Sequence, residues 1–101
     1  MRKFETLLLL SPELNSEARE ALVSNFSAVI ERMEGKVVLV DNWGMKDLAY
    51  PVEKQMRGYY IRLEYVAPGT AVAELERNIR IADGIFKFIT VKLSDKVEEL
   101  A

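Results

Sequence analysis

Two stretches with helical spacing each lie between two stretches with strand character, and this order constrains the fold more than any other feature. Phe4 to Leu10 alternates and then turns apolar on both faces, with Phe4, Thr6, Leu8 and Leu10 on one side and Lys3, Glu5, Leu7 and Leu9 on the other. That pattern predicts a central strand covered on both sides near its end. Ser11-Pro12-Glu13 is a helix-start signal, with a hydroxyl cap, proline in the first position and an acid in the first turn; Asn15 and Ser16 are rival caps one turn later. Leu22, Phe26, Val29, Ile30 and Met33 share one helical face, and Gly35 is a natural stop.

Lys36 to Val40 is β-branched and apolar, hence a strand, which Asp41-Asn42-Trp43-Gly44 interrupts with turn or bulge chemistry. Leu48 to Val52 is extended and belongs on a sheet edge, because Pro51 restricts its predecessor and cannot donate to a ladder. Glu53 to Arg57 reads as a polar loop. Tyr59 to Val66 is a strand, Pro68-Gly69-Thr70 turns the chain, and Thr70 can cap a second helix bearing Val72, Leu75 and Ile79. Asp83-Gly84 closes that helix. Ile85 to Leu93 is the last strand, and residues 94–101 form a short polar tail after a single domain of residues 1–93.

Each helix is thus a crossover between strands that lie parallel in the sheet. Right-handed crossovers favour an α+β, ferredoxin-like βαββαβ sandwich, a four-stranded antiparallel sheet with both helices on one face. Alternation assigns Thr6, Leu8, Leu10, Val37, Ile61, Leu63, Tyr65, Phe88 and Thr90 to the covered face. The open face then shows Lys3, Glu5, Leu7, Leu9, Tyr60, Arg62, Glu64, Lys87, Ile89 and Val91. Apolar residues rimmed by charge on an open sheet face mark a docking surface. Two alternatives are that residues 41–57 fold over part of it, or that it makes a homodimer.

Composition narrows the chemistry. With no cysteine and no histidine in 101 residues, thiol chemistry, the commonest general base and the commonest metal ligand are all missing. No catalytic residue, metal or cofactor is expected. The N-terminal apolar run, Leu7 to Leu10, is too short for a signal or membrane segment, so a cytoplasmic protein is the default. Net charge is −2, which argues mildly against a nucleic-acid binder. Its distribution matters more, because a phosphate backbone responds to the local field. Glu13 to Glu34 holds five acids and two bases, whereas Arg77 to Lys92 holds four bases and one acid. Arg2, Lys3, Lys87 and Lys92 fall on strands expected to be neighbours, with Arg80 nearby, so they could form one basic edge cluster suited to phosphate contacts. Any one of them could equally be a solvated surface charge, and Arg77 and Arg80 also complement their helix dipole.

Arg57-Gly58-Tyr59-Tyr60-Ile61 has some likeness to RNA-recognition motifs of the same topology. The match is rejected, because alternation leaves Tyr60 alone with Arg62 on the open face. Trp43 and Tyr50 could stack on a base, but packing is the simpler reading.

Three stretches, in order, resemble the bacterial small-subunit ribosomal protein six family. They are Met1-Arg2-Lys3-Phe4-Glu5; Trp43-Gly44-Met45-Lys46-Asp47-Leu48-Ala49-Tyr50-Pro51-Val52-Glu53-Lys54 followed by Gly58-Tyr59-Tyr60; and Leu75 to Asp83 with Phe88-Ile89-Thr90-Val91-Lys92. The chain departs from the family pattern at Asp47, where a second basic residue is usual, and in its short tail. The resemblance implies a non-catalytic component of the small ribosomal subunit. It also implies binding to the central domain of 16S ribosomal RNA together with the small basic ribosomal protein numbered eighteen. On that basis Arg2, Lys3, Arg80, Lys87 and Lys92 are candidates for RNA contact, and Leu7, Leu9, Tyr60, Arg62, Ile89 and Val91 for the partner face.

Rival readings fare worse. An acylphosphatase-like enzyme needs a glycine-containing phosphate loop after the first strand, where this chain has Ser11-Pro12-Glu13. Nucleoside-diphosphate-kinase chemistry needs a histidine. Glu5 and Glu64 could mimic a carboxylate pair, but ion pairs to Lys3 and Arg62 are the expected state. A small-molecule regulatory domain that homodimerises through its sheet is the remaining alternative.

Overall fold

A computed structural model describes residues 1–94. The chain runs β1 (Arg2–Leu10), α1 (Ser16–Arg32), β2 (Lys36–Val52), β3 (Gln55–Ala67), α2 (Gly69–Ile81) and β4 (Ile85–Ser94). The strands form one antiparallel sheet in the order β2-β3-β1-β4, so β1 and β3 are central and β2 and β4 are edges. This is the ferredoxin-like βαββαβ architecture that the element order predicts. Ser94, expected in the tail, belongs to β4; the rest of the expected tail, residues 95–101, lies outside the described residues.

The covered face holds the core. Leu8 pairs with Ile61 and Phe88, Thr6 with Leu63 and Thr90, and Phe4 with Tyr65. These residues meet Phe26 and Ile30 of α1 and Ala71, Leu75 and Ile79 of α2, all fully or almost fully buried. One polar group sits among them. Thr6 Oγ1 lies 3.0 Å from Tyr65 Oη and 2.9 Å from the Oγ1 of half-buried Thr90, so three hydroxyls satisfy one another from the core outward.

Local chemistry moved several boundaries. Helix α1 starts at Ser16, not Ser11, because Asn15 Oδ1 accepts from Ala18 N at 2.8 Å. Ser11 instead closes a turn by accepting from Glu13 N, while its own N–H donates to Gly84 O at 2.8 Å and ties β1 to the start of β4. At the other end Glu34, not Gly35, takes the left-handed conformation (φ 69°). Gly35 is needed for closeness: a Cβ there would sit 2.8 Å from Ala67 Cβ, Ile30 Cγ2 and Val66 O. Thr70 does not cap α2; the helix begins at Gly69 with Pro68 as a cap that has no side-chain bond.

Over residues 41–57 the bulge at Asp41 to Gly44 and the edge placement of Leu48 to Val52 are as expected, and β2 extends over 17 residues through both. The difference lies in the polar loop expected over Glu53 to Arg57, which is a two-residue hairpin turn at Glu53 and Lys54, both left-handed (φ 49° and 64°). Two successive left-handed residues match the right-handed twist of the flanking strands. Asp41 to Gly44 does not end the strand but bulges it, with Asn42 opposite Ile61 and Gly44 opposite Tyr60. Because β2 is an edge, Pro51 costs the sheet no ladder bond on its outer side.

Candidate protein and nucleic-acid interface

The open face is built by register. Leu7 lies between Arg62 and Ile89, Leu9 between Tyr60 and Lys87, and Glu5 between Glu64 and Val91. One half of this face is charged. Arg62 donates from Nε to Glu5 Oε2 at 2.5 Å and from Nη2 to Glu64 Oε1 at 2.6 Å, and Lys3 Nζ lies 3.2 Å from Glu64 Oε2. The two glutamates are therefore held in the ion pairs to Arg62 and Lys3 that the sequence leads one to expect. Hydrogen bonds to these glutamates, that of Glu5 foremost, hold the Arg62 guanidinium charged above its ordinary range. The bond from Arg62, followed by that from Lys3, holds the Glu64 carboxyl below the usual carboxylate range.

The other half is apolar. Leu7, Leu9, Tyr60, Lys87, Phe88 and Ile89 line a hollow of about 290 Å³. Ile89 is 58% exposed and Val91 43%. Leu9, by contrast, is nearly covered, and Gly58 leaves the room it occupies. A Cβ on Gly58 would strike Leu9 Cδ1, so the bare glycine backbone lets the leucine lie flat across β3.

Part of the hairpin reaches over this end of the sheet. Ladder pairing lapses between Asp47 and Val52. Leu48, Ala49, Tyr50 and Val52 there share a second hollow, about 220 Å³, with Leu9, Tyr60 and Lys87. Lys87 Nζ sits 5.3 Å from the centre of the Tyr50 ring. The covering segment anticipated for residues 41–57 thus exists, but it shades only the Leu9 end and leaves Ile89 and Val91 open.

The five basic candidates do not all fall in one place. Lys92 pairs with Phe4 and Lys87 with Leu9, so β4 holds them far apart along its length. Alternation places Lys87 on the open face and Lys92 on the helix side. Arg80 is also on the helix side, its guanidinium 5.5 Å from the Phe88 ring centre and 3.6 Å from Glu76 Oε1. Arg2 reaches the start of α2 at Gly69, and Lys3 is engaged by Glu64. Register keeps Lys92 at the same end of the sheet as Arg2 and Lys3 and sets Lys87 apart from them.

Two open-face residues, Leu39 and Asp41, are absent from the sequence expectations for this face, and Trp43 packs as expected. Leu39 and Asp41 face Glu64 and Arg62, and Trp43 packs against Tyr60 with ring centres 6.2 Å apart. The Trp43 Nε1 donates to Asp41 Oδ2 at 2.9 Å. Their alternation was readable only with the two β2 bulges in place. Among the described residues, no group of Asp and Glu gathers to hold a metal ion, and no helix is long and apolar enough to cross a membrane.

Comparison with known proteins bears on this surface. Residues 3–92 match the family model described as Ribosomal protein S6. The chain is 72% identical to the small ribosomal subunit protein bS6 of Nitratidesulfovibrio vulgaris (strain DSM 19637 / Miyazaki F), over the full length of both. It is 44% identical to the bS6 protein of Syntrophobacter fumaroxidans, over 97% of this chain and 67% of that protein. The crystal structure of 30S ribosomal protein S6 from Thermotoga maritima superposes with a TM-score of 0.84 at 29% identity, covering 90% of this chain and 86% of that one. An Arabidopsis thaliana protein shares the fold alone, with a TM-score of 0.54 at 16% identity over 99% of this chain and 100% of that one.

Proposed function

The chain belongs to the ribosomal protein S6 family, and from that premise we propose that it joins the small ribosomal subunit by binding 16S ribosomal RNA as half of a protein pair. Its role there is structural, and its place is the cytoplasmic ribosome. The other half of the pair is the small basic ribosomal protein numbered eighteen, and the RNA target is the central domain. No catalytic step is assigned to any residue.

The observation that carries this reading is the half-apolar open face. Leu7, Leu9, Tyr60 and Ile89 line its hollow, Val91 extends it along β4, and Arg62 closes it on the charged side. An apolar strip bounded by satisfied ion pairs suits a protein partner better than a phosphate backbone. Arg2, Lys3, Arg80, Lys87 and Lys92 then supply scattered phosphate contacts around the sheet's ends and edge. A chain with net charge −2 neutralises few phosphates by itself, so a basic partner has to supply most of the counterion release.

A titration of a central-domain 16S fragment tests the pair directly. The chain alone should bind weakly, and the partner should bind with salt-dependent affinity. Both together should bind more tightly than the partner alone. Equal binding by the pair and by the partner alone would sink the proposal.

A further inference from the structure

Strand β2 is one edge of the sheet, and Val37, Val38, Leu39 and Val40 follow one another along it. Val38, Leu39 and Val40 are 51%, 45% and 38% exposed. Soluble proteins avoid an apolar, β-branched run on an open edge, because its unpaired N–H and C=O groups template another strand. Here the run is bracketed by Lys36 and Asp41. They are an odd number of positions apart, which in a regular strand would set them on opposite faces. The bulge between Val37 and Leu39 cancels that. Lys36 pairs with Val66 and Asp41 with Arg62, both on the open-face side, while Val37 and Val40 pair with Tyr65 and Leu63 on the helix side.

We propose that β2 docks against β2 of a second copy of this chain, antiparallel, about a two-fold axis between Val38 and Leu39. In that register Lys36 faces Asp41 of the other copy, Val37 faces Val40, and Val38 faces Leu39. Lys36 and Asp41 share the open face and Val37 and Val40 the helix side, so the two sheets continue into one. The charges are self-complementary: two lysine–aspartate pairs close the ends of a four-residue apolar seam. A slip by one residue breaks both pairs and turns side chains to the wrong face. Asp41 Oδ2 already accepts from Trp43 Nε1, which orients the carboxylate and leaves Oδ1 for the incoming lysine. An edge contact of this width buries little area, so the dimer is weak and depends on concentration.

Sedimentation velocity on the full chain over a wide concentration range tests this. Wild type should show a reversible monomer–dimer equilibrium. Lys36→Asp gives one edge only acids, and Asp41→Lys gives it only bases, so each variant alone should stay monomeric. An equimolar mixture of the two should dimerise, because the acidic edge then meets the basic one. Circular dichroism melts confirm that both variants fold. A monomer at every wild-type concentration overturns the proposal, as does Lys36→Asp associating like wild type. So does a dimer that Ile89→Asp abolishes and Lys36→Asp leaves intact, which would place pairing on the open face.

Discussion

Glu5 and Glu64 stand directly opposite each other across the β1–β3 ladder, and Arg62 donates to both. Like charges at paired positions destabilise a sheet unless a counter-charge lies between them. The guanidinium fork does this in a way a lysine could not, since its Nε and Nη2 reach two carboxylates at once.

Arg62→Met should therefore destabilise the fold in a pH-dependent way. The Glu64 carboxyl is held below its ordinary range chiefly by Arg62. Its contribution is present above the ordinary glutamate range and is lost as pH falls through the depressed folded value. Urea midpoints of wild type and variant should differ most near neutral pH and converge once Glu64 is protonated. A gap that stays constant into acid would show that Arg62 acts through packing instead.

The buried hydroxyls make a second, ranked prediction. Thr6 is central, within bonding distance of both Tyr65 and Thr90. Thr6→Val removes both contacts and should cost about 1–3 kcal/mol, the range for leaving a buried polar group short of partners. Tyr65→Phe leaves the Thr6–Thr90 bond intact and should cost about 1 kcal/mol. Equilibrium unfolding of both variants gives the order, and a reversal would mean that Thr6 is not the hub.

Gly58 links stability to the docking face. In Gly58→Ala the new methyl meets Leu9, whose side chain must lift from β3 into the hollow it helps to line. Overpacking of this kind costs about 1–3 kcal/mol. The variant should also lose affinity for the protein partner by more than its stability loss explains. Calorimetry at a temperature where it is fully folded separates the two effects.

How much of this was legible in the sequence follows from which signals are local. The strand faces of β1, β3 and β4 were readable because alternation there is uninterrupted through Leu8, Ile61 and Phe88. Strand β2 was not, because its bulges at Val38 and Trp43 shift parity, and Glu53-Lys54 lacks the Asn-Gly or Asp-Gly signature of a tight hairpin. The start of α1 stays open in the sequence because Ser11 and Asn15 are both competent caps; in the fold Asn15 takes the role, its Oδ1 accepting from Ala18 N. The spread of the basic residues was not legible, for a related reason: knowing that β1 and β4 are neighbours does not give their register, and register puts Lys87 beside Leu9 but Lys92 beside Phe4.

The two halves of the proposed interface separate by salt. Ile89 is 58% exposed and on an edge strand, so Ile89→Asp should leave folding unchanged. If it anchors the protein partner, its loss should weaken that complex by about tenfold or more, equivalent to at least about 1.4 kcal/mol, at every salt concentration. Lys87 lies one step further along the same face of β4, against Tyr50. If it meets phosphate, Lys87→Glu should spare the protein–protein complex and weaken binding of the pair to the 16S fragment. The slope of log affinity against log salt should become shallower by about one. Fluorescence titrations of each variant at several salt concentrations read both quantities. Should Lys87→Glu weaken the protein pair and leave the RNA slope unchanged, Lys87 belongs to the partner face along with Leu9 and Ile89.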